Sequence, residues 1–245
     1  MKRQHEAVIE VMKENGGYST LGHLYKNSLN IPNVEWKTKT PFASIRRIVQ
    51  DERFFFKIKS GLWALNEYRD KLPIDILCLT KKENSKIGFF NHTYYQGLLV
   101  EIGNLKKFKT FIPPQDKNRK YLNTSLGEIA TLKKIITFSF GLTVRKTATI
   151  DVVWFNERDM PNSFFEVEHS TNIQNSLLKF LELQDFHTDF FIVADKVRQK
   201  EFISKITLSA FRPIQKRVKF INYTQVSAWH TKVYEISILE NAINF

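Results

Sequence analysis

"TIDVVWFNERDMPNSFFEVEHST", Thr149 to Thr171, decides the fold. Two runs rich in β-branched and aromatic residues flank a polar, proline-containing stretch, Asn156 to Asn162, which is the pattern of a β-hairpin with an irregular turn. Side chains alternate along a strand, so Asp151 shares a face with Val153 and Phe155, while Glu166 shares one with Phe164 and Glu168. If the strands pair in register, three carboxylates gather on one face. Clustered acids repel, and burial raises their pKa values unless a cation keeps them ionised. A hard divalent ion such as magnesium supplies that charge, with oxygen ligands at about 2.1 Å. On a basic chain, such a site suggests phosphodiester chemistry.

Working outward, "STNIQNSLLKFLELQDF" places Ile173, Leu177, Phe180 and Leu181 in helical spacing. Thr171 and Gln174 fit a capping box at its start, and Gln174 in that first turn lies near enough to the acids to be a DNA contact. "DFFIVAD" is a near-continuous apolar strand, suited to the centre of a sheet covered on both faces. A helix from about Val197 to Leu208 and a strand in "KRVKFINY" follow. Upstream, a helix from about Thr93 to Leu105 precedes the strand "FKTFIPP" and the polar stretch "QDKNRKYLNTS", while Leu126 to Arg145 has no distinct pattern. Glu101 on that helix reads by itself as a solvated residue. Gln96 lies five positions away, a poor fit to the same helical face. Lys117, Arg119, Lys120, Arg145 and Lys146 are phosphate contacts or surface solvation. His169 is a general base or, more simply, structural.

The order helix, strand, strand, strand, helix, strand resembles the core of the PD-(D/E)xK nuclease superfamily. "ID-V-W" upstream and "FEVEHST" downstream resemble its bacterial branch that is often joined to a helix-turn-helix module, over about Asn91 to Pro213. The resemblance implies that Asp151 and Glu166 are metal-binding acids, with Glu101 a third, and that Mg2+ is the cofactor. Glu168 stands where most of the family has a lysine that orients or polarises the attacking water; some restriction endonucleases have Glu there and are active. The implied catalytic set is Asp151, Glu166, Glu168 and Glu101.

At the other end of the chain, Val8, Val11 and Met12 share a helical face that Gly16-Gly17 ends, and Leu21, Leu24 and Tyr25 repeat the spacing. Thr40-Pro41 reads as an N-cap followed by proline at the first helical position, with Phe42, Ile45 and Val49 facing the core. "FFFKIKSGLWAL" then turns over at Ser60-Gly61 as a hairpin. This stretch, about residues 4 to 66, resembles the HARE-HTH winged helices. The resemblance makes the helix after Thr40 a recognition helix in the major groove. Ser44 and Arg47 are its base-edge or phosphate contacts, with Arg46 beside them. Lys37, Lys39 and Thr40 before the helix, and Lys57 and Lys59 on the wing, are placed to reach phosphates. The alternative is that these lysines only solvate a small domain.

Composition is consistent with this. Lys and Arg total 37 against 25 Asp and Glu, a formal charge of +12, which favours a polyanionic partner. The lone cysteine, Cys78, excludes an internal disulfide and suits a reducing compartment. The N-terminus lacks the apolar core of a signal peptide, and no run approaches the roughly 18 apolar residues of a membrane span. A cytoplasmic protein with no membrane partner is expected.

The expected fold is α/β (α+β overall): an N-terminal winged helix in residues 1–68, a linker in 69–90, and a restriction-endonuclease-like mixed sheet flanked by helices in 91–245. The expected function is magnesium-dependent, sequence-specific cleavage of double-stranded DNA in the manner of type II restriction enzymes. Cutting both strands requires two active sites, hence a homodimer. The alternatives are a DNA-binding regulator with an inactive nuclease fold, and a repair or RNA nuclease.

Overall fold

The computed structural model of the chain describes residues 2–36, 38–80 and 85–243, so Lys37 lies outside the described residues. Two compact units emerge, Met1–Lys82 with Ser227–Phe245, and Glu83–Val226. Helices and mixed sheets make the architecture α/β, as the hydrophobic periodicities require. Among the described residues no helix is long and apolar enough to cross a membrane.

The first unit runs α1 (Gln4–Glu14), β1 (Tyr18–Thr20), α2 (Leu21–Ser28), α3 (Pro41–Ile48), β2 (Phe55–Lys59), β3 (Leu62–Leu65) and α4 (Ile74–Thr80). Its three strands pair antiparallel in the order β1-β3-β2. Gly16 and Gly17 stop α1 with φ of 80° and 91°. Their N–H groups donate to the Lys13 and Met12 carbonyls, the closure that glycine alone adopts cheaply at a helix end. Val8, Met12, Leu24, Tyr25, Phe42, Ile45 and Phe55 form the core. Pro41 occupies the first turn of α3 as expected, but the Thr40 side chain makes no capping bond; its hydroxyl lies 3.3 Å from that of Thr38.

The second unit contains α5 (Ser85–Leu105), β4 (Lys109–Phe111), β5 (Lys120–Tyr121), β6 (Thr124–Ser125), α6 (Leu126–Ile129), α7 (Gly141–Thr147), β7 (Val152–Phe155), β8 (Pro161–Glu168), α8 (Ile173–Leu181), β9 (Asp189–Ala194), α9 (Gln199–Ile206) and β10 (Val218–Asn222). A last helix, α10 (Tyr223–Ala242), starts here, and its residues from Ser227 onward group with the first unit. That grouping differs from a boundary that leaves everything after residue 91 in one domain. Its cause is packing: a Cβ on Gly22 would meet the Tyr234 ring at 2.4 Å, Arg46 lies 3.4 Å from Glu235, and Ile238 packs on the first core.

The main sheet has the order β10-β9-β8-β7-β4. β8, β9 and β10 are parallel, while β7 and β4 run antiparallel, so the sheet changes sense at β8. The apolar "DFFIVA" strand is second from one edge, with a strand on each side. Val153, Phe155, Phe164 and Ile192 bury one face against Ile173, Leu177 and Phe180 of α8 and against α9. On the other face Trp154 donates to the Leu99 carbonyl of α5 at 3.2 Å, and Gly103 makes room for its indole. The patternless stretch after α6 is used as well: Leu132, Ile135, Ile136 and Phe138 lie against the same core. At the tip of the β7–β8 hairpin the Asn156 side-chain oxygen accepts from the N–H groups of Arg158 and Met160 at 3.0 and 3.1 Å.

Phe164 is fully buried and stacks on Phe190 at 5.6 Å. Phe164→Ala should cost the second unit about 3–5 kcal/mol, seen as a lower urea midpoint for its unfolding. An unchanged midpoint would contradict this packing.

Candidate active site

The hairpin register pairs Val152 with Phe165 and Val153 with Phe164, which carries the alternation on to bring Asp151 opposite Glu166. Asp151 stands just before β7, and its Oδ2 accepts the Val167 N–H at 2.8 Å. Glu166 and Glu168 are 3% and 4% exposed. β8, with Phe164 and Phe165 at its centre, therefore ends in two buried acids.

Three side chains from neighbouring elements fix Glu166 and Glu168. Lys179 Nζ, on α8, lies 2.9 Å from both oxygens of Glu166 and 3.1 Å from the Thr149 carbonyl. The Ser176 hydroxyl reaches Glu166 Oε2 at 3.1 Å and also contacts Glu168 Oε1. Thr171 donates to the other oxygen of Glu168. Arg198 donates to the backbone carbonyls of Glu168 and Thr171 at 3.1 and 2.6 Å and pairs with Glu201. Burial and the Asp151 charge push the Glu166 carboxyl well above the ordinary range, against the pull of Lys179. Burial would lower Lys179, but Glu166 holds it above the usual lysine value.

A second network supports Asp151 from α5. His92 Nε2 lies 3.1 Å from Asp151 Oδ2, and Arg119 lies 3.3 Å from His92 Nδ1. Arginine can only donate, so this pattern assigns the His92 proton to Nε2, where it donates to Asp151. Arg119 also pairs with buried Asp116 at 2.9 Å, and Gln96 donates to Asp116 at 2.7 Å and to the Asp151 carbonyl at 3.3 Å.

Several expected residues sit elsewhere. Among the described residues no group of three or more His, Cys, Asp or Glu is arranged to hold a metal ion. Glu101 accepts from the Tyr121 hydroxyl at 2.9 Å. His92 and Gln96, one turn apart, take the face turned to Asp151, and five residues further on the helix has rotated roughly 140°. The helix cap falls on Asn172, which accepts the Gln174 N–H at 2.9 Å, because Thr171 is drawn to Glu168. The Gln174 side chain accepts from Lys205 at 3.2 Å, so it is engaged with α9. His169 stacks against Tyr223 with centroids 6.5 Å apart.

In the first unit, Arg46 turns inward to the Tyr25 hydroxyl at 3.0 Å and to Glu235. Ser44 and Arg47 line an open cavity of about 700 Å³ with Arg3, His5 and Arg53. Thr40, Lys39 and Lys57 are exposed and Lys59 is half-buried.

Missed by sequence reasoning are Lys179, Ser176, His92, Asp116 and the inward role of Arg119. Spacing could have signalled two pairs. Ser176 and Lys179 are one turn apart beside the apolar stripe of α8, and His92 and Gln96 are one turn apart on α5.

The mixed sheet thus carries two buried carboxylates, Glu166 and Glu168, at the end of β8. The chain belongs to the family described as "Type II restriction enzyme NmeDI C-terminal domain", which matches residues 79–242. Type II restriction enzyme NmeDI of Neisseria meningitidis serogroup C is 25% identical over 165 residues, covering 62% of this chain and 46% of that protein. The chain thus spans about half the length of the curated relative it matches. No solved structure matches it.

Removing the negative neighbour should lower the pKa of Glu166, so Asp151→Asn is expected to shift its carboxyl resonance to a lower titration midpoint in a 13C-detected pH series. The sign for stability follows: a carboxyl raised on folding contributes fully below its unfolded value, about 4.3, and loses that contribution as pH rises through the folded value. An equal or higher midpoint in Asp151→Asn would refute the coupling.

Proposed function

We propose that this chain is a magnesium-dependent, sequence-specific double-stranded DNA endonuclease of the type II restriction class, with a PD-(D/E)xK core in its second unit. Its support is the convergence of Asp151 and Glu166 at the buried end of β7 and β8, in a chain of formal charge +12 that belongs to a restriction-enzyme family. A polyanionic duplex is the natural partner of that charge.

The residues present fit magnesium. Two oxygen-only carboxylates adjoin, and both hydrogen bonds described for the Asp151 carboxylate fall on Oδ2, leaving Oδ1 to a ligand. Magnesium is commonly held by one or two carboxylates, with water and substrate oxygens completing its shell, so the lack of a third acidic ligand is no obstacle. Held by Asp151 and Glu166, the ion would supply Lewis-acid charge at the scissile phosphate. The chain's own residues do the positioning. His92 and the Val167 N–H lock Asp151, and Ser176 steadies Glu166. In the hydrolysis a water oxygen bonds to phosphorus and one bridging P–O bond breaks, its electron pair staying on the departing oxygen. One water proton reaches that oxygen through solvent.

The first unit, helix-strand-helix-helix-strand-strand with an antiparallel three-stranded sheet, has the element order of a winged helix. In this reading α3 enters the major groove, Ser44 and Arg47 contact base edges or phosphates, and Lys39, Thr40, Lys57 and Lys59 contact the backbone. Arg46 braces the domain instead, since Tyr25 and Glu235 hold it. Gln174 remains a contact only if it leaves Lys205. Two cuts in one duplex call for two copies of the site, so the working form is a homodimer acting in the cytoplasm.

Incubation of the purified chain with duplex plasmid and magnesium should give discrete fragments, and Glu166→Ala should abolish them while leaving duplex affinity nearly intact. Arg47→Ala should weaken binding by about 1–3 kcal/mol, measured by fluorescence anisotropy. Equal binding loss in both variants would contradict this division between cutting and recognition.

A further inference from the structure

We infer that Lys179 is a catalytic cation of this site, contacting the scissile phosphate or the attacking water, and that Glu168 is a positioning residue that seats the helix carrying it. The inference rests on the endonuclease reading above. Asp151 and Glu166 place two carboxylates side by side, and the ammonium that meets Glu166 comes from α8, thirteen residues beyond it.

Hydrolysis of a phosphodiester gathers negative charge on the phosphoryl oxygens next to those carboxylates. A hydrogen-bonding cation within reach lowers the barrier, because its attraction grows as that charge develops. Lys179 has the geometry for this. Its three donors converge on Glu166 Oε1, Glu166 Oε2 and the Thr149 carbonyl, at the same end of the hairpin as Asp151. Its side chain is 36% exposed whereas that of Glu166 is 3%, so the lysine borders solvent while its carboxylate partner is buried. A lysine ammonium is a compact charge on a flexible stem, able to turn from a carboxylate to a phosphate oxygen without moving the backbone.

Glu168 is committed differently. Both its oxygens are taken by hydroxyls, those of Thr171 ahead of α8 and Ser176 in its first turns, with Arg198 4.0 Å away. Arg198 binds the carbonyls of Glu168 and Thr171 and so holds the same connection. Ser176 and Lys179 are one helical turn apart, so the carboxylate that anchors Ser176 also fixes where Lys179 emerges. The acid in the Glu-x-Glu motif thus acts through the helix.

The test uses the full chain with duplex plasmid and magnesium, alongside calorimetric titration with Mg2+ and a melting curve for each variant. Lys179→Met should cut at least about 100-fold more slowly, the scale of a single transition-state donor. Its Mg2+ affinity should be equal or tighter, since a competing ammonium is gone, and its duplex affinity unchanged. Lys179→Arg, which keeps the charge and the pairing with Glu166, should recover about tenfold or more over Lys179→Met and serves as the folding control. Glu168→Ala should lower kcat with KM for DNA unaltered, and Glu168→Gln, able to keep one hydroxyl bond, should restore much of it. Wild-type cleavage with Lys179→Met equally active overturns the inference alone. Absence of cleavage by the wild type overturns the endonuclease reading and this inference with it.

Discussion

Two like charges held side by side beneath a covered sheet are the constraint that organises the second unit. Asp151 and Glu166 meet because β7 and β8 pair in one register, and at low local dielectric their repulsion is far larger than it would be in water. The surroundings answer that cost. Lys179 neutralises Glu166 from α8, the Val167 N–H and His92 hold Asp151, and Ser176 bridges the two glutamates of β8. None of these partners comes from the hairpin's outer tip.

The partners arrive from both layers of the fold. α8 lies on one face of the sheet and contributes Ser176 and Lys179 through positions flanking its apolar stripe. α5 lies on the other and sends His92 and Gln96 to Asp151, which stands beyond the strand end where both layers have access. Buried Asp116 and half-buried Arg119 then brace His92 through an ion pair. Packing that stabilises the sheet and packing that shapes the acids are thus largely the same contacts.

Periodicity made the architecture readable. The period-two pattern around Asp151 and Glu166, the continuous apolar "DFFIVA" and the 3.6-period stripe at Ile173, Leu177 and Phe180 each became the element they signal. Partners across sequence were not readable. Nothing local to Lys179 distinguishes it from a solvated lysine, and Arg46 looks like a surface arginine until Glu235, 189 residues away, folds beside it. Glu101 meets Tyr121 while His92 and Gln96 meet Asp151, because helical phase, 100° per residue, decides facing. The cap moved from Thr171 to Asn172 because a neighbouring carboxylate competed for the threonine hydroxyl, a tertiary effect that no capping pattern contains.

The hairpin tip closed by Asn156 lies at the end of β7 away from Asp151, four strand residues or roughly 13 Å along. Residues added between Asn156 and Met160 lengthen the tip but leave the strand phase untouched. One residue added inside either strand reverses every side chain beyond it and carries an acid to the opposite face. The tip is therefore the place in this hairpin where a label, a tether or a grafted loop can be inserted with the chemistry at the other end left in step.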